Sequence, residues 1–203
     1  MENPIASMKV LGGRLCLDFA NTLDQHVPPL GEYLHGYDDL AWWGVRVGLL
    51  AEDEAEALRE RARAEPEEAA RVFARALALR GAVFRLFSAA AAGRAPGEAD
   101  METLNEEWRQ AASHLRVTHG ADGYAWAWDD ARALDRVLRA VARDAAELLT
   151  SDLLDRVGEC PGHACDWLYL DTSRNRSRRW CDMAGCGNRA KARRHYHRSA
   201  EAH

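Results

Sequence analysis

The sequence has no run approaching the roughly 20 apolar residues that cross a bilayer, which argues against a helical membrane span. Met1 to Asn21 also lacks the basic start and long apolar stretch of a secretory leader, so a cytoplasmic protein is expected. Cysteine is scarce and odd in number, five in 203 residues with four crowded near one end. In a compartment that keeps thiols reduced, that pattern favours metal over a disulfide framework and leaves Cys16 over. Internal repeats and low-complexity tracts are absent as well, the alanine-rich stretch from Ser88 to Ala92 being read as helix-forming sequence. What is present is globular in composition, with hydrophobic residues at 47% and charged residues at 29%. The length suits one ordinary core plus a small module.

The net charge of −5 conceals an asymmetry. Residues 174 to 198 hold nine arginines and lysines against Asp182 alone, a net of +8, which leaves −13 for the remainder. A compact basic end on an acidic body points to an anionic partner for that end, nucleic acid first.

Hydrophobic spacing predicts a mainly α-helical protein with a small β component. Val10 to Thr22 reads as a short strand turning at Gly12-Gly13 into a helix. Asp38 or Asp39 is expected to cap a helix through Leu50, and Glu54 to Ala64 forms a second. Pro66 opens a longer helix with a broad apolar stripe including Val72, Leu79, Val83 and Phe87, ended by the segment from Gly93 to Gly97. A helix from Glu98 to Ser113 is followed by a hairpin from His114 to Asp129 that turns at Gly120 to Gly123. Asp129 or Asp130 should then cap a helix running to about Val157. Tyr124, Trp126 and Trp128 share one strand face and are assigned to the core, the alternative being the aromatic wall of a small-ligand pocket. Cys16 is read as a small buried hydrophobe, and Asp18, Asn21 and His26 as polar residues without the partners of a catalytic site. No enzyme activity is expected.

The chemistry lies beyond Val157. Cys160 and Cys165 are separated by four residues, Cys181 and Cys186 by four, and the pairs by fifteen. Each short pair forms a knuckle aiming two thiolates at one centre, and the intervening chain is long enough to return. One zinc ion per chain suits four such ligands. With every position filled by protein, its role is structural and not catalytic. His163 is the alternative to one cysteine, and Trp180 is expected to pack on the knuckles, with base stacking as the alternative. Trp167 to Asp171 alternates as a strand between the pairs.

The run WLYLDTSRNRSRRWC together with Cys186-Gly187-Asn188-Arg189 resembles the CGNR zinc finger family over Cys160 to about Arg198. GGRLCLDFANTLD near the N-terminus is similar to ABATE, the helical domain that precedes the finger in that family. The resemblance implies a bacterial protein described as a stress-induced transcription regulator. It places a helical domain with a short hairpin at residues 1–157, a zinc finger with a terminal helix at 158–203, and the metal on Cys160, Cys165, Cys181 and Cys186.

Physically, Asn188 is expected to cap the terminal helix, with Ala192 and Tyr196 on the same face lying on the finger and Arg189 beside them. The outer face, Lys191, Arg193, Arg194, His197 and Arg198, and the loop arginines Arg174, Arg176, Arg178 and Arg179 are expected to meet nucleic acid. About a third of the arginines should pair instead with Asp166, Asp171, Asp182 or the acidic body. The leading expectation is a DNA-binding regulator, able to form a homodimer and to sense a small-molecule effector in its helical domain. An adaptor docking its basic finger on an acidic protein, and RNA binding, are the alternatives.

Overall fold

The computed structural model describes residues 4–23, 31–121, 123–130, 132–163 and 165–201, without the side chains of residues 4, 194, 195 and 197–201. His26 lies outside them. A short helix, α1 (Pro4–Ser7), leads to α2 (Leu15–Ala20), α3 (Tyr37–Arg46), α4 (Glu52–Ala64), α5 (Pro66–Ala91) and α6 (Glu98–Ser113). A hairpin of β1 (Leu115–Gly120) and β2 (Gly123–Trp128) separates α6 from α7 (Arg136–Leu149). The chain then forms β3 (Val157–Glu159), β4 (Leu168–Leu170) and α8 (Asn188–Glu201).

The core forms around α5, whose apolar residues recur at helical spacing and bury Val72, Leu79, Val83, Leu86 and Phe87. Against it pack α2, α3, α4, α6, α7 and β3. Phe19 and Trp43, both fully buried, meet with ring centroids 5.0 Å apart. Arg80 also points inward from α5, and its guanidinium forms paired bonds of 2.6 and 2.7 Å to the Glu32 carboxylate, with a third of 3.2 Å to the Thr22 hydroxyl. A buried cation is stable only with such partners.

The segment from Val10 to Thr22 contains a helix but no strand. Gly12 and Gly13 do turn the chain: Gly13 has φ +76°, and a Cβ on Gly12 would stand 2.7 Å from the Asp18 amide nitrogen. The buried Asp18 carboxylate accepts a 2.7 Å bond from the Gly12 amide, which folds the turn onto the start of α2. Gly12 then offers its carbonyl to the Leu170 amide at 2.7 Å, a single strand-like contact.

Three helix boundaries differ from expectation. Helix α3 begins after Gly36, with Asp38 and Asp39 in its first turn, and stops at Arg46 as the chain turns through Gly48. Helix α4 starts at Glu52, where the Glu54 carboxylate reaches back to the Ala51 amide at 2.8 Å. Helix α7 starts at Arg136 and ends at Leu149, because the Ser151 hydroxyl donates to the Leu148 carbonyl and then accepts from the Leu153 amide, closing the helix end. Val157 therefore belongs to a strand.

The aromatic stripe is not core. Tyr124 and Trp126 are 81% and 59% exposed, and their cross-strand neighbour Val117 is 59% exposed. A two-stranded hairpin buries a face only if another layer covers it, and here the cover on Trp126 is one side chain, the Arg143 guanidinium of α7 at 6.0 Å from the ring centroid, which leaves the ring exposed. Cys16, in contrast, is fully buried and free.

Candidate metal centre and nucleic-acid interface

Strands β3 and β4 pair antiparallel, Val157 opposite Leu170 and Glu159 opposite Leu168. One further bond, Cys160 amide to Trp167 carbonyl at 3.0 Å, carries the pairing to the first ligand. The chain then turns so that the Cys165 amide bonds to the Gly162 carbonyl at 3.0 Å, forming the first knuckle. In the second, the Asp182 carboxylate caps the Ala184 amide at 2.9 Å and its carbonyl takes the Gly187 amide at 3.1 Å. This starts a π-helical turn, Met183–Gly187, that runs directly into α8.

The four sulfurs of Cys160, Cys165, Cys181 and Cys186 lie within 4.8 Å of one another. Cys165 and Cys181 are 3.5 Å apart, and Cys181 and Cys186 3.7 Å. A tetrahedron with Zn–S bonds of about 2.3 Å has edges of about 3.8 Å. The cluster thus fits one structural zinc ion, and the four sulfurs complete the shell without His163, which is exposed beside it.

Crowding has an electrostatic consequence. Hydrogen bonds from Cys165 and Cys181 pull the Cys160 thiol below its ordinary range, while donation to Cys160 raises the other two. As four thiolates, these sulfurs would need a cation between them. A second cation stands outside: Arg189 Nη2 donates to Cys186 Sγ at 3.1 Å, and that bond holds the guanidinium pKa above its usual value. Arg189 is thus the partner that orients a ligand. Trp180 is half-buried against the cluster, as expected.

The arginines divide sharply. Arg178 turns inward and stacks 4.6 Å above the Tyr169 ring. Its guanidinium donates to the carbonyls of Trp180 (3.1 Å), Leu170 (3.0 Å), Leu11 (2.9 Å) and Cys181 (2.6 Å). Its assignment to the nucleic-acid surface is therefore corrected: with four donors engaged on backbone oxygens, it has none of the freedom a phosphate contact needs. Arg174, Arg176, Arg179, Lys191 and Arg193 are exposed and make no ion pair among the described residues. The side chains of Arg194, His197 and Arg198 lie outside the described residues, although α8 includes their backbone.

The finger's own acids leave those cations available. Asp182 pairs with Lys9 at 2.8 Å, and Asp171 accepts from the Ser173 and Arg178 amides at 2.8 and 2.9 Å. Asn188, Ala192 and Tyr196 do not lie on the finger: Asn188 and Ala192 are exposed and Tyr196 is 75% exposed. Asn188 has helical φ and ψ instead of those of a cap, because Asp182, six residues earlier, has already capped the preceding π turn. Among the described residues the main contact of α8 is with the π turn.

The finger is built into the body. Val157, Leu168 and Leu170 belong to the main hydrophobic core. The Asn21 amide bonds to Leu168 in both directions, at 2.9 Å to its carbonyl and 2.8 Å from its amide. Sequence reasoning missed this role of Asp18 and Asn21. The available signal was a polar residue within an otherwise apolar helix, Asp18, and another at its end, Asn21.

Residues 13–152 match ABATE, the family described as "Putative stress-induced transcription regulator", and residues 156–199 match the CGNR zinc finger. No curated protein matches the sequence.

Proposed function

Because this chain belongs to the ABATE family and carries the CGNR zinc finger as its second part, we propose that it regulates transcription by binding duplex DNA through that finger. The observation that supports this most is the division of the arginines. Arg178 and Arg189 commit their guanidinium groups to the finger's own carbonyls and a ligand sulfur, whereas Arg174, Arg176, Arg179, Lys191 and Arg193 are exposed and unpaired among the described residues. Five such cations on a metal-held scaffold form a surface suited to phosphate contacts. Zinc would supply rigidity by tying both knuckles to one centre, and would take no part in recognition.

Binding of zinc-loaded protein to random and genomic duplexes, followed by fluorescence anisotropy over a salt series, tests the proposal. Roughly four to six phosphate contacts give a log–log slope of about −4 to −5. The triple variant Arg174→Ala, Arg179→Ala, Arg193→Ala should flatten that slope and keep the wild-type melting temperature. Absence of duplex binding at low salt, or an unchanged slope in the variant, overturns DNA recognition and leaves an acidic protein partner or RNA as the ligand of this surface.

A further inference from the structure

At the C-terminal ends of α5 and α7, the helical body and the arginine loop enclose a cleft of about 780 Å³. Its walls are apolar, formed by Leu86, Met101, Leu149, Leu154 and Val157. Its lining also includes two cations, Arg94 from the loop after α5 and Arg176 from the finger, together with Asp155. The volume lies in the range of small-molecule sites, and a few polar groups around an apolar wall are what such sites require.

Both cations are placed by backbone geometry. The Arg94 amide closes the end of α5 by bonding to the Ala89 carbonyl at 2.8 Å, which fixes where its exposed side chain starts. Arg176 has φ +50°, the one non-glycine residue in the left-handed region among those described. Such conformations cost free energy and concentrate at ligand clamps and switch segments. Neither guanidinium makes an ion pair among the described residues. Two cations against one carboxylate leave a single positive charge, and the walls below offer apolar contact.

We propose that this cleft binds a small amphiphilic monoanion, a carboxylate on an aliphatic or aromatic body, with its charge between Arg94 and Arg176 and its apolar part against Leu149 and Leu154. A neutral analogue would leave the two guanidinium groups without a counter-charge, and a dianion would meet Asp155. The site does not depend on the nucleic-acid reading, but one consequence rests on it. Arg176 is shared with the proposed DNA surface, so a ligand that holds it withdraws a cation from DNA. DNA then weakens the ligand by the same factor, as linkage requires.

Full-length, zinc-loaded protein is titrated with 1-anilinonaphthalene-8-sulfonate, and the bound probe is then displaced with octanoate or with octanol. Saturable binding displaced by octanoate and not by octanol is expected. Arg94→Ala should weaken octanoate at least tenfold, and Ala91→Trp, which places a ring on the cleft wall, should abolish binding with the zinc content and melting temperature of the wild type. Equal displacement by octanol, or octanoate affinity unchanged in both variants, overturns the site. In a DNA arm, saturating octanoate should weaken duplex binding several-fold in the wild type and not in Ala91→Trp. If octanoate binds and duplex affinity does not move, the coupling is overturned and the site stands. If the unliganded protein binds no duplex at all, the reading of the basic surface fails, and the octanoate titration alone decides the site.

Discussion

Asn21 and Leu168, 147 residues apart, are joined by two hydrogen bonds that use both polar atoms of the side-chain amide: Nδ2 donates to the Leu168 carbonyl at 2.9 Å and Oδ1 accepts from its amide at 2.8 Å. The Asn21 side chain acts as a one-residue strand at the edge of the finger sheet. Both ends of this contact are buried, Asn21 at 1% and Leu168 at 0% exposure, so no water replaces it.

Replacing Asn21 with Ala should therefore leave a buried amide and a buried carbonyl unsatisfied, and destabilise the protein by about 2–4 kcal/mol. Urea unfolding measures the loss. Retention of the wild-type midpoint would show that the other contacts between finger and body hold it without this one.

Arg178→Ala should cost more than an exposed arginine does, about 2–4 kcal/mol, because four backbone carbonyls lose a charged donor at once. Arg178→Lys should recover only part, since a point ammonium cannot reach four acceptors as a planar fork does. Arg179→Ala, measured beside them by thermal denaturation, should stay within about 0.5 kcal/mol of the wild type.

Chelation of the metal should unfold the finger and expose the β3–β4 edge, visible as a loss of amide-exchange protection at Leu168 to Leu170. Arg189→Ala removes the donor to Cys186 Sγ and should lower zinc affinity by about tenfold, read by competition with a chromophoric chelator. An unchanged affinity would assign Arg189 to nucleic acid instead.

Burial pushes the Asp18 carboxyl above its ordinary range, only partly offset by the bond from the Gly12 amide. The folded state therefore holds this proton more tightly than the unfolded one. The associated stability is present below the unfolded value near 4 and is lost as pH rises through the folded value. Asp18→Asn cannot ionise, so its stability relative to the wild type should rise as pH increases above about 4, followed by differential scanning fluorimetry with zinc present.

Trp126→Ser should change stability by no more than about 0.5 kcal/mol, because the ring is 59% exposed. A loss of several kcal/mol on thermal denaturation would return this side chain to a packed interface.

The long helices were legible because their signals are local: Pro66 at the start of α5, a stripe at helical spacing, and glycines beyond its end are contained in one stretch of chain. Both knuckles were legible for the same reason, since Cys160 with Cys165 and Cys181 with Cys186 are near neighbours in sequence. The roles of Asp18, Asn21 and Arg178 were not. Asn21 and Arg178 are defined by distant backbone groups, Leu168 at 147 residues and the Leu11 carbonyl at 167, and no local pattern encodes such a partner; Asp18 bonds to the nearby Gly12 amide, but its burial depends on distant packing. The hairpin shows the converse. Alternation placed Tyr124 and Trp126 correctly on one strand face, but whether that face is covered depends on the packing of distant elements.

The Asn21–Leu168 contact also sets a timetable. A ribosome adding about 5–20 residues per second releases Asn21 well before Leu168, so the N-terminal turn spends about 7–30 seconds of each synthesis waiting for the strand that completes it. During that interval Asn21 is an open half of a joint. The metal-holding segment, made after it, is what closes this joint.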